Sequence, residues 1–203
     1  DLEIGNTREA MPRIIKAIEL AEEMGFLSNK AGSTCNLGRG LRLDGDLNQA
    51  ETAYTEALRI FKEIGSGEGG LAESLTGLAT IAIDRDHLAE AKGKLRRALE
   101  VAVEGTWTEE IVRALTQFGR LAYAEGDPER AAIFLIQVDV QNRNTFTTWG
   151  PEVKEGQDLL GRIEKEMGVQ AFGKVKVWAE AMTLEEVVGL ARGESSGEQD
   201  QNL

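Results

Sequence analysis

The amino-acid sequence repeats itself every 40 or 41 residues. Four alanines mark the register, and each is followed by a large side chain four residues later and a small or apolar one three residues further on: Ala10, Ala50, Ala91 and Ala131. Residues at this spacing share one face of a helix. A second helical pattern precedes each of the last three alanines, so each unit is predicted to be a helix, a tight turn and a second helix.

The small residues of these patterns indicate close helix packing. Gly38, Ala50 and Ala57 occupy positions where two helix axes have to approach more closely than large side chains allow. Neither helix of a pair can cover its apolar stripe alone, so the pairs have to stack side by side into a continuous core. The sequence therefore predicts an all-α fold in the form of a solenoid.

Residues suited to helix ends agree with this division. Asn6, Asp46 and Asp127 are predicted N-caps, and Thr106 with Glu109 is predicted to cap the first helix of the third unit. Glycines suited to a left-handed conformation follow the second helices at Gly25 and Gly65.

The first complete unit resembles a tetratricopeptide repeat through Asn36-Leu37-Gly38, Leu41, Gly45-Asp46, Ala50, Tyr54 and Ala57. This resemblance implies a right-handed α-solenoid of TPR-like helix-turn-helix repeats with a C-terminal helical cap. The period is longer than the common 34 residues and is similar to that of bacterial multidomain regulators, namely maltose-activator-type transcriptional activators and related signal-transducing ATPases. The runs 126–132 and 178–186 also resemble the carboxyl end of such regulators.

The pattern divides the chain into four parts. A half repeat that supplies only a second helix is predicted over 1–27, TPR-like repeats over 28–142, capping helices over 143–192 and a disordered polar tail over 193–203. Because a half repeat needs cover, we expect the parent protein to continue upstream. In the third part the sequence predicts a loop over 142–150 and helices over 151–167, 171–181 and from Thr183 onwards.

Charge and composition exclude several classes of protein. Lysine and arginine number 23 against 35 aspartates and glutamates, a net charge of −12 that opposes binding to nucleic acid or to an anionic membrane. One cysteine and one histidine exclude a disulfide scaffold or a zinc module. We expect a cytoplasmic protein, since Cys35 fits a reducing compartment and no apolar run reaches the roughly 20 residues that span a bilayer.

Residues that could carry chemistry have simpler interpretations. The glycine run 65–70 matches a dinucleotide-binding pattern but follows a helix instead of a strand, so it is interpreted as a connection between repeats. His87 is interpreted as a surface turn residue and Cys35 as a small residue on a helix face. The carboxylate pairs 22–23, 109–110 and 185–186 are interpreted as solvated surface. We expect no catalytic residue, no cofactor and no metal site.

The concave face remains as the candidate site, because solenoids commonly bind partners there. Four arginines make the charge of this face positive in a chain that is strongly acidic as a whole. Guanidinium groups bind carboxylates well. Either an acidic or extended peptide binds them, or they pair with neighbours such as Asp44, Glu73 and Glu109 and bind nothing. The predicted binding residues are Asn36, Arg39, Arg42, Thr76, Thr80, Arg113, Thr116, Arg120 and Tyr123.

The sequence thus predicts a non-catalytic module for protein interaction or sensing. By resemblance it is expected to be the C-terminal arm of a larger bacterial regulator that binds a partner protein, a peptide or another segment of its own parent in the groove. The alternative is an arm that assembles the parent into a homo-oligomer through convex or end surfaces, with the groove unused.

Overall fold

A computed structural model describes residues 7–65, 68–145 and 151–194. Helices joined by short turns make up this part of the chain, and it contains no strand. The helices are α1 (Thr7–Glu23), α2 (Leu27–Leu43), α3 (Leu47–Ile64), α4 (Glu68–Asp84), α5 (Leu88–Glu104), α6 (Thr108–Ala124), α7 (Pro128–Thr145), α8 (Pro151–Met167), α9 (Val169–Ala181) and α10 (Leu184–Arg192).

The helices pack as successive hairpins. Helix α2 pairs with α3, α4 with α5 and α6 with α7, while α1 packs on α2. Helix α4 also contacts α2 and α6, so these three helices form an inner row, and their hairpin partners α3, α5 and α7 form the outer row. The predicted all-α solenoid with a C-terminal helical cap is confirmed. None of the helices described combines the length and apolarity needed to cross a membrane.

The register residues occupy the core as expected. Ala50, Ala91 and Ala131 have no exposed surface. The Tyr54 ring lies between two inner helices, where a Cβ atom at Gly38 would come within 2.9 Å of it and one at Gly77 would overlap it. The close approach predicted at Gly38 is therefore real, and Tyr54 fills the space that the two glycines leave.

Turns of constant form join most of the helices. Their middle residue is left-handed, whether it is a glycine, as at Gly45 and Gly126, or a larger residue, as at Asp86 (φ 61°) and Thr106 (φ 56°). The predicted cap at Thr106 is wrong for this reason, because the left-handed position moves the N-cap on to Trp107.

The other predicted caps have different outcomes. Asp46 accepts a hydrogen bond from the backbone N–H of Gln49 at 3.0 Å, and Asp127 accepts one from that of Arg130 at 3.0 Å. These two predictions are confirmed, whereas Asn6 lies outside the described residues.

Two predicted connections are partly helical. Helix α7 continues to Thr145, so the loop expected from residue 142 begins too early. Helix α4 begins at Glu68 and takes in the last two glycines of the run 65–70. A Cβ atom at Gly70 would overlap the Phe61 ring, which explains why a glycine is required inside this helix.

The C-terminal helices follow the expected order. Helix α10 begins after Thr183, whose side chain and that of Glu186 form reciprocal capping hydrogen bonds. The buried amide of Gln137 on α7 donates hydrogen bonds to the carbonyl oxygens of Ala179 at 2.5 Å and Met182 at 2.9 Å. This side chain fastens the end of α9 to the repeats. Residues 146–150 and nearly all of the predicted tail lie outside the described residues.

Candidate functional site: the inner groove

The inner row of helices brings the four predicted arginines to one surface, which we call the inner groove. Helix α2 supplies Arg39 and Arg42, and α6 supplies Arg113 and Arg120. Asp84 of α4 joins the two groups, with its carboxylate oxygens 3.5 Å from Arg42 Nη1 and 2.6 Å from Arg120 Nη2. The arginines of the first and third units are thus neighbours in space.

Helix α8 lies across the inner groove. Its Glu152 carboxylate is 3.3 Å from Arg39 Nε, and its Glu155 carboxylate is 3.0 Å from Arg42 Nη2 and 3.7 Å from Arg120 Nη1. The first turns of α8 therefore place two carboxylates, one helical turn apart, on the arginines of the inner face.

The remaining carboxylates come from the inner helices themselves. Glu73 of α4 lies 2.5 Å from Arg39 Nη2, and Arg113 lies 3.0 Å from Glu109 and 3.2 Å from Glu110. Each of the four arginines consequently has at least one carboxylate partner. The pairing with Glu73 and Glu109 is the one that the sequence offers as the alternative to ligand binding.

Burial makes these ion pairs sensitive to the loss of a partner. The Arg42 side chain is only 7% exposed. Burial lowers its pKa, but the carboxylates of Glu155 and Asp84 more than offset this effect, so the net shift is upward. The guanidinium stays charged and needs an anion beside it, because an uncompensated buried charge is strongly destabilising.

Glu110 differs from the other acids of the inner groove. Burial raises its pKa from 4.5 to about 7, and Arg113 only partly opposes the rise. Within the described part of the chain, Glu110 Oε2 and Arg113 Nε have no hydrogen-bond partner, although they lie at ion-pair distance from each other. The interpretation of residues 109–110 as solvated surface is wrong for Glu110, because only 12% of its side chain is exposed.

The predicted polar residues between the arginines are less accessible than expected. Thr76, Thr80 and Thr116 are 2%, 4% and 3% exposed. Two of the hydroxyls donate to carbonyls of their own helix, Thr80 to Thr76 and Thr116 to Val112. Little of these hydroxyls is therefore accessible to a peptide, and their binding role stays a prediction. Asn36, in contrast, is exposed.

Tyr123 meets the second half of α8. Its hydroxyl donates a hydrogen bond to Glu166 at 2.6 Å, and the Arg162 guanidinium lies 5.2 Å from the centre of its ring. Tyr123 thus contacts the helix that crosses the inner groove.

Sequence reasoning missed the role of α8. The signal is a small residue in the register of the inner helices, since Gly38, Ala79 and Gly119 are followed by Gly156 after a shorter interval. A Cβ atom at Gly156 would lie 3.3 Å from Thr116 Cγ2, which places α8 against α6 much as inner helices pack on each other. The sequence pattern did not predict that α8 continues the inner row, because a loop was expected before α8 and the interval to Gly156 is shorter than the repeat.

The residues considered for chemistry do not converge. His87 is a turn residue with 60% of its side chain exposed. Cys35 is buried, its Sγ lies 3.1 Å from Ser74 Oγ, and burial raises its pKa to about 12. The described residues include no cluster of three or more histidines, cysteines or acids that could hold a metal ion.

A comparison with known protein families agrees with the repeat pattern. Residues 29–104 match the sequence model of the tetratricopeptide repeat. This part of the chain therefore resembles tetratricopeptide repeats, which generally mediate protein–protein interaction. No curated protein sequence matches the chain significantly.

Solved structures with the same fold extend over nearly the whole chain. A Podosopora anserina protein described as a kinesin light chain with nearly identical TPR-like repeats is 16% identical, with a TM-score of 0.52 over 97% of this chain and 92% of that one. BtubC (BKLC) from P. vanneervenii is 20% identical, with a TM-score of 0.58 over 98% of this chain and 78% of that one. At these identities the similarity is one of fold.

Proposed function

We propose that the protein is a non-catalytic interaction or sensor module that binds a peptide or partner protein in the inner groove. The observation that carries this proposal is the convergence of Arg39, Arg42 and Arg120 on carboxylates from two other helices, α4 and α8. A surface that gathers carboxylates within a chain of net charge −12 suits an acidic partner.

The repeat pattern supports a more specific assignment. We propose that the chain forms the C-terminal arm of a larger cytoplasmic regulator of bacterial type, and that its partner is a separate protein or another part of its own parent. The resemblance of the runs 126–132 and 178–186 to such regulators supports this assignment.

The test is selection of peptides against the whole chain from a display library that contains acidic and neutral sequences. The charge reversals Arg39→Glu and Arg120→Glu, made together, should reduce capture of the selected peptides at least tenfold. The matched control reverses Arg59 and Arg97, whose side chains are 53% and 60% exposed on the outer helices and should not affect capture. Equal capture by both double variants would refute groove binding.

A second candidate function is self-association of the parent protein. Exposed apolar side chains on α1, on the turn that follows it and at the start of α2 favour it: Ile15, Leu20, Met24, Phe26 and Leu27. Two copies could bury these side chains against each other. Light scattering decides between the candidates, since a mass that doubles with concentration and falls back on Leu20→Glu supports assembly, and a constant monomer mass excludes it.

A further inference from the structure

The two halves of α8 are held by different forces. In the second half, Leu159 is 8% exposed and Ile163 is fully buried in the main core. In the first half, Glu152 and Glu155 rest on the arginines of the inner groove, and Gly156 packs over Thr116. The second half is therefore anchored by apolar burial, and the first half depends mainly on charge.

Charge pairs of this kind contribute little net stability. The desolvation of two ions offsets most of their attraction, so a buried ion pair adds little net stability, whereas an arginine left without any carboxylate is strongly destabilising. The first half of α8 can therefore give up its place to equivalent carboxylates without loss of the apolar anchor. The arginines would exchange one pair of carboxylates for another.

The geometry of this contact specifies what an equivalent partner has to be. Residues i and i+3 lie on one face of a helix, whereas in an extended chain they point to opposite sides. Glu152 and Glu155 reach Arg39 and Arg42 together because they lie on a helix. A large residue in place of Gly156 would meet Thr116 and Leu135, which lie 3.3 and 3.4 Å from its Cβ position.

We infer that the partner of the inner groove is a helix with two carboxylates one turn apart followed by a glycine or alanine, and that the first half of α8 occupies the place of this helix. The inference rests on the proposed function and adds the kind of partner to it. The first half of α8 is thus an internal substitute for the partner, and the two compete for the same arginines.

The experiment measures binding of one defined probe to three forms of the whole chain by NMR titration. The probe is a capped alanine-based helical peptide that contains Glu-Ala-Ala-Glu-Gly, and its control carries glutamine at both acidic positions. The test variant combines Glu152→Gln with Glu155→Gln. The matched control variant, Asp158→Asn with Glu164→Gln, removes two exposed carboxylates from the same helix.

The acidic probe should bind the test variant at least tenfold more tightly than the natural chain or the control variant, and the glutamine peptide should bind none of them. Equal affinity for all three forms would overturn the inference. So would equal binding of the two peptides. In either case the proposed function would survive if display still yields ligands of another kind that depend on Arg39 and Arg120.

A second measurement needs no substitution and covers the case in which the test variant does not fold. In the natural chain, the amides of residues 155–158 should exchange with deuterium at least tenfold faster than those of 160–166, because only the second half of α8 is anchored in the core. Uniform protection along α8 would show that its first half is not replaceable and would contradict the inference.

Discussion

At some positions inside helices, the close packing of a neighbouring helix determines which residue is present more strongly than helix propensity does. Tyr54 is 4% exposed and lies where a Cβ atom at Gly38 or Gly77 would overlap its ring. A glycine inside a helix is unfavourable by about 1 kcal/mol compared with alanine. At these two positions the packing of the tyrosine outweighs that penalty.

Gly77→Ala should therefore destabilise the protein by about 1–3 kcal/mol, because the new methyl group forces Tyr54 or α4 to move. Gly93→Ala is the matched control, since a Cβ atom there meets nothing within 4 Å and should stabilise by up to about 1 kcal/mol. Urea unfolding followed by circular dichroism measures both. Equal effects of the two substitutions would show that the space around Tyr54 is not tight.

Glu110 gives the protein a defined pH dependence. Its pKa is raised to about 7 in the folded chain, so the folded state holds a proton that the unfolded state releases above about 4.5. The contribution of this group therefore lowers the free energy of unfolding as the pH rises from about 4.5 to about 7.

Glu110→Gln should reduce this dependence and should stabilise the protein at pH 8 by about 1 kcal/mol or more. Glu109→Gln, which changes the more exposed neighbour, should leave the dependence in place. Urea unfolding at pH 5 and pH 8 measures the difference. A stability gap between the Glu110→Gln variant and the natural chain that is the same at both pH values would contradict this assignment.

At the scale of helices, the C-terminal cap depends on a polar side chain that crosses between elements. Gln137→Leu would leave the carbonyl oxygen of Met182 without its donor and that of Ala179 with only the 3.3 Å bond from the backbone N–H of Met182, and an unpaired buried polar group carries a penalty of about 1–3 kcal/mol. We therefore expect Gln137→Leu to lower the urea concentration at the midpoint of unfolding. Gln157→Leu on the exposed side of α8 should change stability by less than about 0.5 kcal/mol.

Some contacts between helices could be predicted from the sequence and others could not. Helix pairs were predictable because Ala50, Ala91 and Ala131 repeat in register and are buried in register. The arginines of the inner face were predictable because a helix has a fixed period. The place of α8 was harder to predict, since its signal in the sequence is a single glycine, Gly156, at a shorter interval, and the contact of Glu155 with Arg42 joins residues 113 positions apart.

At the scale of the whole molecule, stability should fall towards the N-terminal end. Helix α1 packs on α2, and its Ile15 and Leu20 side chains are 46% and 50% exposed. The core around Tyr54 is a separate and smaller cluster than the one that runs from α4 to α10. Stacked repeats open in units, so the units with the fewest neighbours open first.

Native-state hydrogen exchange at low denaturant tests this expectation. Amides of α1 and α2 should exchange through openings of lower free energy than those of α5, α6 and α7. Exchange of all core amides through one global opening, or earlier opening of α9 and α10, would contradict it.

Chemical labelling of Cys35 provides a way to measure how often the first unit opens. The chain has one cysteine, and its thiol is fully enclosed in the first unit with a pKa of about 12. A thiol reagent can reach the sulfur only while α2 separates from its neighbours. The rate of labelling in the natural sequence therefore counts the openings of that unit, with no fluorophore or added cysteine required.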